Sequence, residues 1–140
     1  MIRAVLDVNV LVSAFIGRSD RAPRQLLHAW RDGKFELVVS PNLLAELGKV
    51  LDYPKLERWT DNNRGTAWVT GLAAAATKLP DPGTEPVGFA DPNDEYLIAL
   101  ARQSNVDVLI SGDGLLRDLH VEGLTVLSPA AFLASIAPTR

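Results

Sequence analysis

Short apolar runs that give way abruptly to helix-opening pairs constrain this chain more than any other feature. Phe35 to Val39 reads as a strand, and Ser40-Pro41 follows at once: a serine N-cap with proline at the first helical position. That helix should run to about Leu51. Asp91-Pro92 opens another, to about Ser104, and Ser128-Pro129 opens a terminal one that ends before Pro138. Arg3 to Val8, Val106 to Ser111 and Leu124 to Leu127 are further strand candidates, β-branched-rich and bounded by polar residues. Val10 to Ile16 reads as a short helix starting near Asn9. Ala22 to Arg31 reads as a second, capped by Ser19 or Asp20 and ended by Gly33. Trp59 to Leu79 reads as one helix with Thr60 or Asp61 as its cap, and Pro80 to Gly88 as a loop. Strands alternating with helices predict an α/β domain: a mostly parallel central sheet of four to five strands, flanked by helices in three layers.

The chain has 140 residues, enough for one domain spanning 1–140 and too few for two. With 47% apolar and 22% charged residues it has an ordinary globular composition. A net charge of -3 excludes a strongly basic protein that coats nucleic acid. The absence of cysteine removes disulfides and thiolate metal sites and fits a reducing, cytoplasmic setting. Asp7 and Asn9 interrupt the N-terminal apolar run, which argues against a signal peptide. The stretch from Trp68 to Ala76 is far shorter than the roughly 20 residues a membrane helix needs, so no membrane association is expected. Trp30, Trp59 and Trp68 read as packing residues. His28 and His120 are isolated by spacing and read as surface or packing residues.

Four acids carry the chemistry. Asp7 lies late in the first strand, and a buried, unpaired carboxylate there would cost several kcal/mol. Asp113 follows the strand ending near Ser111. Glu46 lies about a turn and a half into the helix opened by Ser40-Pro41, and Asp94 lies in the first turn of the helix opened by Asp91-Pro92. Each alone has an ordinary reading: Asp94 as a first-turn acid on a helix dipole, Glu46 as a solvated helix residue, Asp113 as a turn aspartate. Together they fall where an open α/β sheet gathers its ligands, at the carboxyl ends of its strands. Crowded carboxylates repel and lose hydration, so a convergent set needs a cation, and hard oxygen donors suit Mg²⁺ or Mn²⁺.

These segments resemble the PIN domain family, in its VapC-like branch of bacterial toxin components. Val5-Leu6-Asp7-Val8-Asn9 with Ser13 downstream is similar to the family's first Asp-x-Asn motif, and Ser40-Pro41 through Glu46-Leu47 to its glutamate segment. Asp91-Pro92-Asn93-Asp94 through Ala99-Leu100-Ala101 resembles the third acidic motif, and Ile110-Ser111-Gly112-Asp113 the closing Thr-x-Asp motif, with Ser111 in place of threonine. The resemblance implies a PIN-like fold and a metal-dependent endoribonuclease. Asp7, Asp94 and Asp113 would ligate Mg²⁺ or Mn²⁺, and Glu46 would ligate or orient the attacking water. Asn9, Ser13 and Ser111 would support them. Asp94 fits the family spacing as ligand with Asp91 as N-cap; the other register makes Asp91 the ligand. The resemblance also implies an RNA substrate, a cognate antitoxin protein and a homodimer. Arg18, Arg21 and Arg24 are candidate phosphate contacts, or simply a solvated basic face.

Two other readings compete. An aspartyl-phosphate phosphatase or receiver would use Asp7 as its phosphorylated residue, but Asp7-Val8-Asn9 lacks the second aspartate of the phosphatase motif, and no lysine closes a late strand. A degenerate PIN scaffold would bind RNA or a partner without cutting it. Retention of all four acids argues against that.

Overall fold

A computed structural model of the chain describes residues 1–83, 92–112, 114 and 123–137, and of residues 92–94 the backbone alone. The elements run in the order β1 (Arg3–Leu6), α1 (Val8–Ile16), α2 (Ala22–Arg31), β2 (Glu36–Val39) and α3 (Pro41–Leu51), then a 3-10 turn at Pro54–Leu56. After it come α4 (Glu57–Thr60), α5 (Arg64–Ala75), β3 (Thr77–Lys78), α6 (Pro92–Gln103), β4 (Val108–Ile110), β5 (Thr125–Leu127) and α7 (Pro129–Ile136). The five strands form one sheet in the order β3-β2-β1-β4-β5, and every neighbouring pair is parallel. The chain moves outward from β1 to β3, crosses back beside β1 as β4, and continues to β5. Helices connect the parallel strands and flank the sheet, which gives a three-layer α/β fold.

Burial on both faces explains why the central strands are almost uninterrupted apolar runs. Ala4, Val5, Leu6, Val38, Val39, Leu109 and Ile110 are all fully buried. Two aromatic pairs fasten helices to this core. Phe35, just before β2, meets Phe132 of α7 edge-on at 5.1 Å between ring centres, and Phe15 of α1 meets Trp68 of α5 at 4.9 Å. Trp30, Trp59 and Trp68 are half-buried against the core, as expected of packing aromatics, and His28 is exposed. His120 lies outside the described residues.

The structure departs from the sequence expectations at four places. The first strand stops at Leu6, not Val8, because Asp7 turns out to cap α1: its carboxylate accepts from the Asn9 N–H at 3.3 Å. Neither Ser19 nor Asp20 caps α2; Arg21 holds that position without a side-chain cap, and Pro23 in the first turn removes one donor that would need it. Gly33, with φ +78°, ends the helix as expected. The single helix expected over Trp59 to Leu79 is broken. Asn62 and Asn63 adopt left-handed φ values of 55° and 63°, a conformation asparagine tolerates better than most residues, and they separate α4 from α5. Its far end is an edge strand, β3, pairing Val38 with Thr77 and Val39 with Lys78. The predicted strands 106–111 and 124–127 shorten to β4 and β5.

At the amino edge of the sheet a polar pin ties four segments together. Glu36 of β2 accepts from the Arg3 guanidinium at 3.1 Å and from the Thr77 hydroxyl at 2.8 Å. Arg3 also donates to the Ser104 carbonyl at 3.2 Å, and its main-chain N–H to Asp107 at 2.8 Å. The Thr77 hydrogen bond holds the Glu36 carboxyl below its ordinary 4.5, with Arg3 assisting and burial opposing. A lowered folded-state pKa stabilises above the unfolded value and stops doing so as the pH falls through the folded one. Glu36→Gln should therefore lower the unfolding free energy at neutral pH by about 1 kcal/mol. The variant should also lose stability less steeply than wild type below pH 4.5, read from urea midpoints along a pH series.

Candidate functional site

The order β3-β2-β1-β4-β5 reverses direction between β1 and β4, the place where open parallel sheets bind ligands. Asp7 leaves β1 at this switch. Its N–H donates to the Ile110 carbonyl at 2.9 Å, extending the ladder one residue beyond the strand. Asp7 Oδ2 accepts from the Ser111 hydroxyl at 3.0 Å, while Oδ1 takes the Asn9 N–H. Among the described residues, the half-buried carboxylate is thus held from both sides by hydrogen bonds. Each oxygen keeps acceptor capacity for a ligand.

A cavity of about 780 Å³ opens at this edge. Asp7, Asn9 and Ser13 come from β1 and α1, Asn42 and Glu46 from α3, Tyr96 and Leu97 from α6, Gly112 from the end of β4, and Pro129 from the start of α7. Val8, Val10, Pro23, Leu43 and Val50 supply an apolar wall. The amino ends of α1, α3 and α7 border the space, and their partial positive charge favours an anion there. Glu46 is about half exposed and approaches Lys49 of its own helix at 3.9 Å, a loose surface pair that leaves it available to the cavity. Asn9 and Ser13 are exposed.

Of the acids singled out from sequence, Asp7 and Glu46 face this one cavity. Asp91 and Asp113 lie outside the described residues, as does the side chain of Asp94. Their described neighbours, Gly112 before Asp113 and Tyr96 shortly after Asp94, line the cavity. Among the described residues no three Asp, Glu, His or Cys side chains gather closely enough to hold an ion. The described residues lining the cavity offer carboxylate, amide and hydroxyl oxygens, and such a set fits Mg²⁺ or Mn²⁺.

Sequence reasoning missed one acid. Asp81, in the loop after β3, accepts from the Asn42 N–H at 3.0 Å and from the Tyr96 hydroxyl at 2.8 Å. Tyr96 also meets the hydroxyl of fully buried Ser40, which in turn accepts from the Leu43 N–H at 3.2 Å as the cap of α3. Burial pushes the Asp81 carboxyl up, yet the hydrogen bonds from Asn42, Tyr96 and Ser40 win and hold it below 3.8. Burial, reinforced by Asp81, pushes the Tyr96 hydroxyl up to about 12. Nothing in Pro80-Asp81-Pro82 marks this role; the signal is purely tertiary.

The basic candidates differ in their engagement. Arg24 donates to the carbonyls of Ala14 at 2.6 Å, Phe15 at 2.8 Å and Gly17 at 3.1 Å, closing the carboxyl end of α1. Gly17 is needed there, since a Cβ would run into the Ser13 carbonyl. Arg18 pairs with Asp20 at 3.0 Å on the surface, and Arg21 is exposed.

The model of the PIN domain family matches residues 3–114. The chain belongs to the PIN domain family. PIN domains are generally nucleases, and PIN nucleases generally use divalent metals. The match takes in the cavity's β1, α1, α3, α6 and β4 contributions. The fold is similar to that of PAE2754 from Pyrobaculum aerophilum, solved as a crystal structure, with a TM-score of 0.60 at 15% identity, covering 97% of this chain and 89% of that one. No curated protein is similar enough in sequence to register as a match. Among the described residues of this PIN domain, no helix is long and apolar enough to cross a membrane.

The three carbonyl contacts of Arg24 make a specific prediction. Arg24→Ala should lower the unfolding free energy by about 2 kcal/mol, the order expected when charged hydrogen bonds to carbonyls are lost. Urea denaturation checks it. Unchanged stability would return Arg24 to the pool of phosphate contacts.

Proposed function

We propose that this PIN domain is a metal-dependent endoribonuclease, the toxin of a toxin–antitoxin pair, hydrolysing RNA phosphodiester bonds with Mg²⁺ or Mn²⁺. One observation supports the reading above all: Asp7 and Glu46, far apart in sequence, open onto the same oxygen-lined cavity at the switch point of the sheet. Asp7, Asp94 and Asp113 would hold the ion, with Asp91 taking the place of Asp94 in the other register. A divalent ion bound there supplies a water of lowered pKa and charge neutralisation at the phosphate.

The chain's own groups do the rest. Ser111 and the Asn9 N–H orient the Asp7 carboxylate at the cavity. Glu46, which lines the same cavity, would ligate the ion or accept a hydrogen bond from the attacking water. The amino ends of α1 and α3 favour the incoming phosphate despite the net charge of -3. Arg21 and Arg18 are the phosphate contacts outside the cavity that remain best suited, because Arg24 is committed to α1. A small antitoxin would block the groove, the toxin would act as a homodimer, and its RNA target would be cytoplasmic.

The test is direct. Purified protein incubated with RNA and Mn²⁺ should cleave it, EDTA should stop the reaction, and Asp7→Asn and Glu46→Gln should each lower the rate by about 10²-fold or more. Metal binding without cleavage would leave a scaffold that holds RNA or a partner, and a stable phosphoprotein would point to aspartyl-phosphate chemistry. Growth arrest on expression, relieved by a small co-expressed protein, would establish the toxin role.

A further inference from the structure

Tyr96 lines the cavity, but its hydroxyl is turned to other partners. The Tyr96 proton goes to Asp81, since a carboxylate only accepts, and the Ser40 hydroxyl sits against both Tyr96 and Asp81. The result is one closed cluster: the Leu43 N–H donates to Ser40, Ser40 meets Tyr96, Tyr96 donates to Asp81, and the Asn42 N–H donates to the same Asp81 oxygen. Gln103, at the far end of α6, adds a second hold on this loop by accepting from the Gly83 N–H at 3.2 Å.

Three segments are joined at that hydroxyl, two of them lining the cavity. Ser40, Asn42 and Leu43 are the first turn of α3, the helix that carries Glu46. Tyr96 belongs to α6, whose first turn carries Asp94. Asp81 belongs to the loop leaving β3. A helix moves as a rigid body over one or two turns, so the Ser40–Tyr96–Asp81 link sets the distance between the starts of α3 and α6. Divalent ions are sensitive to such a distance. Mg²⁺ demands near-ideal octahedral geometry with ligands at about 2.0–2.1 Å, whereas Ca²⁺ accepts longer and more irregular shells.

We propose that Tyr96 is a positioning residue for the acidic site, its hydroxyl clamped between Ser40 and Asp81 so that the helices carrying Glu46 and Asp94 stand at the separation a small divalent ion requires. This rests on the metal-nuclease reading above. The clamp leaves the side chain no proton to give to substrate, so its effect passes through the ligands it spaces. Tyr96→Phe removes the hydroxyl and keeps the ring's packing.

Calorimetric titration of the full chain with Mg²⁺, Mn²⁺ and Ca²⁺ tests it, on wild type, Tyr96→Phe, Asp81→Ala and Asp7→Asn. Tyr96→Phe and Asp81→Ala should each weaken Mg²⁺ binding by about tenfold, the order seen when groups behind metal ligands are removed. Ca²⁺ binding should change much less. In cleavage assays both variants should need more Mg²⁺ for half-maximal rate, with KM for RNA unchanged. Asp7→Asn should abolish binding. Mg²⁺ affinity equal to wild type in both clamp variants, with Asp7→Asn still defective, overturns the role of Tyr96 and leaves the nuclease reading standing. Failure of wild type to bind any of the three ions overturns both. Asp81→Ala sits in a loop and removes no core packing, so it decides the matter if Tyr96→Phe does not fold.

Discussion

The pairing of β1 with β4 is the contact on which this molecule's chemistry depends. Val5 sits beside Leu109 and Leu6 beside Ile110, and the ladder runs one residue further, to Asp7. That register brings residues 7 and 111, distant in sequence, to within one hydrogen bond of each other. A slip by one residue would swap the strand's side chains between two differently packed buried faces and carry Asp7 away from Ser111. The buried aliphatic residues on both faces make such a slip very costly. The core therefore dictates the site's geometry.

Electrostatically the cavity combines opposed tendencies. Carboxylates at its wall repel one another and favour a cation, while helix amino ends at its rim favour an anion. A site built this way suits a ligand with both signs, such as a phosphate arriving together with its metal. The acidic overall charge is no obstacle to nucleic acid under these conditions, since attraction is needed only locally.

Much of this was legible in the residues. The Ser40-Pro41 and Ser128-Pro129 pairs located two helix starts correctly, because a side-chain cap and a proline act within one turn and need no tertiary help. Apolar runs identified four of the five strands for the same local reason. The strand Thr77–Lys78 was hidden, since it directly follows the alanine run Ala73 to Ala76 and only pairing with β2 makes Thr77 extended, and the break at Asn62-Asn63 rests on two left-handed residues inside a helical stretch. At the site, Asp7 stood out because a carboxylate in an apolar run demands an explanation. Asp81 did not, because its partners lie on α3 and α6 and share no spacing with it. Arg24 looked like a surface cation by sequence; the three carbonyls that absorb it come together only when α1 and α2 pack.

The brevity of β3 has a further consequence. The outer rim of the sheet on that side offers a two-residue strand ending in exposed Lys78, and the opposite rim, β5, is hardly longer. Such short borders, the first ending in a charge, resist the addition of another chain's backbone. Any assembly this protein enters is thereby directed away from continuous intermolecular sheets and toward the outward faces of its helices, where side chains rather than peptide groups decide who fits.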